Sequence, residues 1–233
     1  MKTISLILFG VIAFSSSIIA QSVIPANDDY LSWTANQAES IGKSMRMSDR
    51  AGKSFDLRVL NTDHAINYKL RATLLSAEVI RAAARLEQIR NRLTNEQTRK
   101  LVLDAEKAGD IIVMIEIDPN EGSGVIPLNW RVFLQPKEAK SASMGAVPGI
   151  KSPALINNKA LSGVTRRDYN YDVFWVVFPI TGEDNAVLFD DNLSQLELVV
   201  GIYGKEGKVS WQMPESIRKK IQSKSQENTK ENK

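Results

Sequence analysis

The sequence predicts an α+β protein dominated by strands: an antiparallel β-sandwich or curled sheet of about eight strands with a two-helix insertion. Segments of alternating apolar and polar residues recur along the chain, and most are joined by connections short enough for hairpins. Helical spacing of apolar residues is concentrated between residues 76 and 108. A parallel sheet needs a crossover, usually a helix, between successive strands, so this distribution favours antiparallel pairing.

The first twenty residues have the pattern of a cleaved signal peptide. Lys2 supplies one positive charge, residues 4–14 form an apolar run too short to span a bilayer, and residues 15–20 form a small-residue stretch that ends in Ala20. We therefore expect a secreted or periplasmic protein. No later run approaches the ~20 apolar residues of a transmembrane helix, so none is expected after cleavage.

The chain contains no cysteine, which limits how the fold can be stabilised and which groups it can bind. Disulfides, thiolate metal sites and a lipid anchor on an N-terminal cysteine are all excluded. An exported protein that depends on packing alone suits a bacterial periplasm better than a small eukaryotic extracellular module. With a single histidine as well, zinc and copper sites of the usual ligand types are nearly excluded, and calcium is the one cofactor left open.

The segment 21–54 is expected to contain a helix, capped by Asp28 or Asp29 and running to about Met45. A single β-rich domain is then predicted over residues 55–214. Its first strands are Phe55–Leu60 and Ile66–Leu74, and the short connection between them allows a hairpin. In the second strand the even-numbered residues are apolar and the odd-numbered ones polar, as expected for a half-buried strand.

The helical insertion, residues 76–108, consists of two amphipathic segments. Ser76 is placed to cap the first, whose apolar residues follow the i, i+3, i+4, i+7 rule. Thr94 and Gln97 form a capping box that opens the second, and Gly109 ends it. We expect both apolar stripes to lie on the sheet.

Strands dominate the rest of the domain. They are predicted at Ile111–Ile117, Ile126–Leu134, Asp172–Phe178, Ala186–Phe189, Leu196–Tyr203 and Lys208–Met213. The last two should form a hairpin through the turn Gly204–Gly207. Residues 173–178 are apolar on both faces, which predicts a strand at the centre of the sheet.

The net charge of the chain is +3, and it resides in the tail, residues 215–233. That tail has six basic and three acidic residues and almost no apolar ones after residue 221, so we predict a disordered charged tail. The body of the protein is close to neutral. A neutral body and an export signal together argue against nucleic acid as a partner.

The long loop 135–170 is rich in Pro, Gly, Ser, Ala and Lys, and loops of this length in a compact domain are usually functional or disordered. Where it re-enters the sheet it carries Arg166, Arg167, Tyr169 and Tyr171. Arginine and tyrosine dominate binding hot spots. We therefore predict a non-enzymatic binding or structural protein that recognises a protein, a glycan or another envelope component through these four residues.

Two acidic turns are the candidate metal site. Asp118, Asn120 and Glu121 lie in one turn, and Asp190 and Asp191 in another. Calcium needs only oxygen ligands, so the two turns form a calcium site if they meet at the same end of the sandwich. Asp-Pro and Asn before Gly are also ordinary turn chemistry, which is the competing interpretation.

Two further function classes stay open. The acidic turns, with His64 as a base beside Asp63, are compatible with a hydrolase, although the sequence has no G-x-S-x-G nucleophile elbow. Alternatively, the two-sided apolar strand and the helix stripes suggest a carrier of an apolar ligand held between sheet and helices. Both features are also typical of a plain core.

Overall fold

A computed structural model describes residues 28–52, 67–119, 126–137, 145–164, 171–190 and 192–231. Its strands are β1 (Arg46–Ala51), β2 (Tyr68–Leu74), β3 (Ile111–Pro119), β4 (Arg131–Pro136), β5 (Val147–Pro148), β6 (Ile150–Lys151), β7 (Asp172–Phe178), β8 (Gln195–Ile202) and β9 (Lys205–Gln212). Its helices are α1 (Ala35–Ser44), α2 (Ala77–Asn91), α3 (Asn95–Glu106) and α4 (Glu215–Glu231), with short 3₁₀ helices at Asp29–Ser32, Pro153–Asn157 and Lys159–Leu161.

The described strands form two antiparallel sheets, as the sequence predicts for a strand-rich α+β fold. Sheet A has five strands in the order β1-β2-β3-β7-β6, and sheet B has four in the order β5-β4-β8-β9. One apolar cluster fills the space between the sheets, and a second lies between sheet A and the helices α2 and α3. The molecule is therefore built in three layers, with sheet A in the middle.

This layering explains why β3 is the centre of sheet A. Every residue from Ile111 to Asp118 is buried, because one face of the strand packs on sheet B and the other on the helices. The sequence prediction placed residues 173–178 at the centre, and this is wrong. Strand β7 lies next to the edge, and its outer neighbour β6 is only two residues long.

The alternation predicted for β2 is confirmed, but its partner differs from the predicted one. Tyr68, Leu70, Ala72 and Leu74 are all buried between the sheets. Their strand pairs along its length with β1, whose polar sequence RMSDRA gives no strand signal. Residues 55–60, the predicted partner, lie outside the described residues.

Sheet B carries the predicted C-terminal hairpin with a tighter turn. Ile202 pairs with Lys205, so the turn is Tyr203-Gly204 and not residues 204–207. Both turn residues have positive φ, 49° and 72°, which is the type I′ geometry that matches strand twist. Two other strand predictions change: β4 begins at Arg131, five residues later than predicted, and residues 186–189 contribute only an isolated bridge from Val187 to Thr181.

Part of the predicted loop 135–170 joins the two sheets. Strand β5 pairs with β4 in sheet B, and after a single residue, Gly149, strand β6 pairs with β7 in sheet A. A Cβ on Gly149 would lie 2.3 Å from Val176 Cγ1 and 2.9 Å from Val132 Cγ1. Only a residue without a side chain therefore fits where the chain passes between the sheets.

The helical insertion forms as predicted. Ser76 caps α2, and Thr94 and Gln97 form the capping box of α3. The N-terminal helix is shorter than predicted, because Thr34 and Gln37 form a second capping box that starts α1 after a separate 3₁₀ turn. In the described part of the chain, no helix has the length and apolarity needed to cross a membrane.

The C-terminal segment is helical over residues 215–231, so the prediction of a disordered tail is wrong for this stretch. Ile217 and Ile221, four residues apart, are buried in the cluster between the sheets. The Ser216 hydroxyl donates to Glu78 at 3.1 Å, and Lys220 Nζ donates to the Asp110 carbonyl at 3.0 Å. Two apolar residues on one helical face are enough to dock α4, although its average composition is that of a disordered chain.

Candidate functional site: a groove on the outer face of sheet B

Of the four predicted binding residues, the described structure contains one, Tyr171. Its ring centroid lies 4.0 Å from Arg71 Cζ, a cation–π contact on the helix-side face of sheet A. Arg71 pairs in register with Glu116, which is 2% exposed and lies 3.9 Å from the Arg46 guanidinium. Tyr171 therefore belongs to a region of oppositely charged, cross-strand neighbours. Arg166, Arg167 and Tyr169 lie outside the described residues.

The predicted calcium site does not assemble from its described members. Asp118 is almost buried, and its carboxylate accepts a hydrogen bond from Lys69 Nζ at 3.3 Å, a partner that competes with a metal ion. Asn120, Glu121, Asp191 and His64 lie outside the described residues. Within the described ranges, no three His, Asp or Glu side chains are grouped closely enough to hold a metal.

Asp190 lies at the opposite end of β3 from Asp118. Leu188 N donates to the Ile180 carbonyl at 2.8 Å, and Ile180 N donates to the Asp110 carboxylate at 2.9 Å. These bonds place residues 180 and 188 at the Ile111 end of the strand, about 24 Å from Asp118 at ~3.4 Å per residue. The Asp190 carboxylate accepts from Asn192 N at 2.8 Å in its own turn.

A groove on the outer face of sheet B is a concave site formed entirely by described residues. Its volume is about 400 Å³, within the range of ~300–1,000 Å³ typical of small-molecule sites. Its lining comes from the outward-facing residues of three adjacent strands and the β8–β9 turn. These residues are Asn129, Arg131, Phe133, Gln135, Val199, Gly201, Tyr203, Gly204, Lys205 and Glu206.

The strand register shows how the groove is made. Phe133 and Val199 are direct cross-strand neighbours and form an apolar floor. In the next outward-facing row, Gly201 stands between Arg131 on β4 and Glu206 on β9. A Cβ on Gly201 would meet nothing within 4 Å, so the absence of a side chain in the middle of this row leaves the space open.

The two charged residues that flank Gly201 have opposite signs and are not paired with each other. Arg131 is exposed and makes no ion pair or hydrogen bond with its side chain among the described residues. The Glu206 carboxylate has Lys208 Nζ at 4.0 Å, and its side chain is 62% exposed. An exposed ion pair at that distance stabilises little. Both charges are therefore available to a ligand placed over Gly201.

The far end of the groove is closed by Gln135, which is 4% exposed. Its Nε2 donates to Glu197 Oε2 at 3.0 Å, which fixes the amide on the sheet face. Its buried Oε1 has no hydrogen-bond partner in the described structure. A buried acceptor without a partner costs about 1–3 kcal/mol, so this end of the groove is not optimised for stability.

Tyr203 and Gly201 also depart from what stability alone favours. Tyr203 holds φ at 49°, a left-handed conformation that is an outlier for a bulky residue and for which type I′ turns prefer Asn, Asp or Gly. Gly201 lies inside a central strand, where glycine costs roughly 0.5–1 kcal/mol relative to alanine. Both lie in the groove, and such local departures from stability concentrate at functional sites.

No protein-family model, no curated protein and no solved structure matches this chain. Its class therefore follows from the fold and the groove: a strand-rich α+β protein with a ligand-sized site on an open sheet face. The sequence carries one signal for that site, the isolated Gly201 within the apolar run LELVVGIY, which indicates a bulge or a close approach by another group. Which neighbours flank it depends on strand order, so periodicity cannot reveal the site.

Proposed function

We propose that this chain is an exported, non-enzymatic binding protein whose ligand occupies the groove on sheet B. The observation that carries the proposal is the row Arg131, Gly201, Glu206, in which two opposite charges that do not pair with each other flank an open space over an apolar floor. Export is supported by the signal-peptide pattern of residues 1–20. We prefer the groove to the loop residues Arg166, Arg167, Tyr169 and Tyr171 because it combines an apolar floor with two opposite charges around an open position.

The binding part of the proposal is tested by thermal unfolding at pH 7 in the presence of defined compounds. The panel contains disaccharides (cellobiose and chitobiose), dipeptides of phenylalanine and leucine, and medium-chain fatty acids. A ligand at a hundredfold excess over its dissociation constant adds about 2.7 kcal/mol of stability, which raises the midpoint by roughly 5–10 °C for a domain of this size.

Gly201→Val assigns any such shift to the groove, because its side chain would occupy the open space. Gln212→Val is the matched control: residue 212 is exposed on the same face of sheet B but outside the groove. We expect the shift to disappear in Gly201→Val and to persist in Gln212→Val. If no compound stabilises the protein, or if Gly201→Val keeps the full shift, the groove is not the binding site.

The same thermal-unfolding experiment also tests whether the ligand binds the loop instead of the groove. A variant in which Arg166, Arg167, Tyr169 and Tyr171 are all changed to alanine should retain the shift if the groove alone binds. Loss of the shift in this variant, with Gly201→Val unaffected, would return the binding site to the loop.

The carrier alternative has less support than the groove. In the apolar cluster between sheet A and the helices, Val79, Met114 and Trp175 are buried and belong to one contact cluster. A Cβ added at Gly163 would lie 2.8 Å from Met114 Cε, so side chains already fill the space beside Met114. A fatty acid that stabilises Gly201→Val as strongly as the unmodified protein would favour the carrier.

Export is tested separately. When the full chain is expressed in a bacterial host, the intact mass of the recovered protein should correspond to loss of residues 1–20, and the protein should be released with the periplasmic fraction. Full-length protein confined to the cytoplasm would overturn the export part of the proposal and leave the binding part standing.

A further inference from the structure

We infer that the ligand of the sheet B groove is a short peptide with both termini free, of two or three residues and with an apolar side chain. This inference rests on the proposed binding function and adds the chemical class of the ligand. It follows from the spacing and sign of the two charges, from the open position between them and from the floor beneath.

The charges of Arg131 and Glu206 favour a ligand that carries both a carboxylate and an ammonium group. Arg131 and Glu206 both neighbour Gly201, one from each adjacent strand. The free guanidinium of Arg131 can accept a carboxylate in bidentate geometry, and the Glu206 carboxylate can accept hydrogen bonds from an ammonium group. A ligand that carries only one of these groups desolvates the other protein charge without offering it a new partner, and Glu206 then has only Lys208 Nζ at 4.0 Å, which is unfavourable.

The spacing selects a peptide over a single amino acid. Neighbouring strands lie about 4.8 Å apart, so the backbones at Arg131 and Glu206 are separated by roughly 10 Å across β8. The ammonium and carboxylate of one amino acid are attached to the same carbon, whereas each further residue of an extended peptide adds ~3.3–3.6 Å. A peptide of two or three residues is therefore long enough to reach both the Arg131 guanidinium and the Glu206 carboxylate.

The floor and the wall supply the apolar contact. With no side chain at Gly201, the peptide backbone can approach the sheet, and one of its side chains can extend over Phe133 and Val199. Tyr203, which is 43% exposed, lies on the other side of Gly201 from Val199, and its ring can contact the peptide from that side. A neutral sugar would pair with neither charge, and an acidic sugar would offer no ammonium group to Glu206, so the charges favour the peptide.

The test is isothermal titration calorimetry at pH 7 with phenylalanyl-leucine and leucyl-phenylalanine as probes. Each is compared with its N-acetylated form, its C-terminal amide and the free amino acids. We expect each blocked peptide and each amino acid to bind about tenfold or more weakly than the free peptide, since each has lost one of the two charge-assisted contacts or the spacing between them.

Variants that remove one charge at a time show which protein residue binds which terminus of the peptide. Arg131→Gln should make binding insensitive to amidation of the C-terminus but keep its sensitivity to acetylation, and Glu206→Gln should show the reverse pattern. The control is Lys100→Gln with Asp104→Asn on α3, which are exposed and lie on a different layer; it should bind every probe like the unmodified protein.

The outcomes separate this inference from the proposed function. Equal binding of free and blocked peptides, or no peptide binding while a disaccharide still binds and is lost in Gly201→Val, overturns the peptide assignment and leaves the groove as the binding site. Absence of any ligand-induced shift across the whole panel overturns both.

Discussion

The sharpest prediction concerns two glycines, one inside a strand of sheet B and one where the chain passes from sheet B to sheet A. Gly201 lies in β8, which is paired on both sides, and has open space where a side chain would stand. Gly149 lies between β5 and β6, and a Cβ there would be 2.3 Å from Val176 and 2.8 Å from Phe178. Substitution should therefore have opposite effects on stability at the two sites.

At Gly201 we expect a gain. Replacing a strand-interior glycine removes an entropic cost of roughly 0.5–1 kcal/mol, and valine adds strand propensity on a scale of about 1 kcal/mol. Gly201→Val should therefore raise the free energy of unfolding by about 1 kcal/mol and the midpoint temperature by about 2–4 °C. It should also abolish binding, because the new side chain occupies the groove.

At Gly149 we expect a loss. The added methyl group would meet well-packed side chains from both sheets, and forcing extra volume into a packed core typically costs about 1–3 kcal/mol. Gly149→Ala should lower the urea midpoint accordingly without changing the slope of the transition, which would otherwise indicate a change in compactness.

The assay is urea unfolding of both variants and the unmodified protein at pH 7, followed by linear extrapolation. A destabilisation of Gly201→Val by more than ~1 kcal/mol would show that glycine is required there for the fold and not for an open site. Full stability of Gly149→Ala would refute the close approach between the sheets. Stabilised Gly201→Val that still binds every probe would refute the groove.

Three further outcomes are expected. Tyr203→Asn should raise stability by about 0.5–1 kcal/mol, because asparagine tolerates the left-handed turn position, and should weaken peptide binding; unchanged stability in thermal unfolding would show that the tyrosine is not strained. Tyr68 is buried, its hydroxyl has no described hydrogen-bond partner, and burial raises the pKa of its phenol above the ordinary 10.0. The unfolded chain therefore loses this proton at a lower pH than the folded protein, and the free energy of unfolding falls as pH rises above 10. Tyr68→Phe should show a smaller fall in urea titrations at alkaline pH, and an equal fall would count against the assignment. Ile221→Ala, at a site 1% exposed, should cost about 2 kcal/mol or more while Lys219→Ala costs little; equal, negligible effects would mean that α4 does not dock on the core.

Local signals in the sequence were reliable where a single element supplied all the information. The alternation in residues 68–74 follows from one buried face, and the Thr94 and Gln97 capping box satisfies backbone donors within the same turn. The C-terminal hairpin was predicted for the same reason, since its two strands are adjacent in the chain. Its turn was predicted two residues too long because Tyr203, unlike the glycines nearby, gives no sign of a positive φ.

The predictions were wrong where a segment is buried or positioned by residues from another layer of the fold. The polar strand β1 forms because β2 offers it an edge and β9 packs beside it; Lys208 N donates to the Asp49 carboxylate at 2.6 Å across that junction. Helix α4 is ordered because Ile217 and Ile221 are buried in the core. The average composition of the segment does not reveal this stabilisation. Asp118 and Asp190 are similar turn residues in the sequence, but strand direction puts them at opposite ends of β3.

The sequence by itself determines the strand-rich α+β class, the antiparallel pairing, the helical insertion and the exclusion of disulfide and thiolate chemistry, because each depends on residue type or on neighbours within a few positions. Only the tertiary structure decides the three-layer order, the central position of β3 and the groove. Arg131, Gly201 and Glu206 come from three strands, and they face one another only through the register of β4, β8 and β9. Register is set by the burial of the opposite face of the sheet, which is a property of the whole fold.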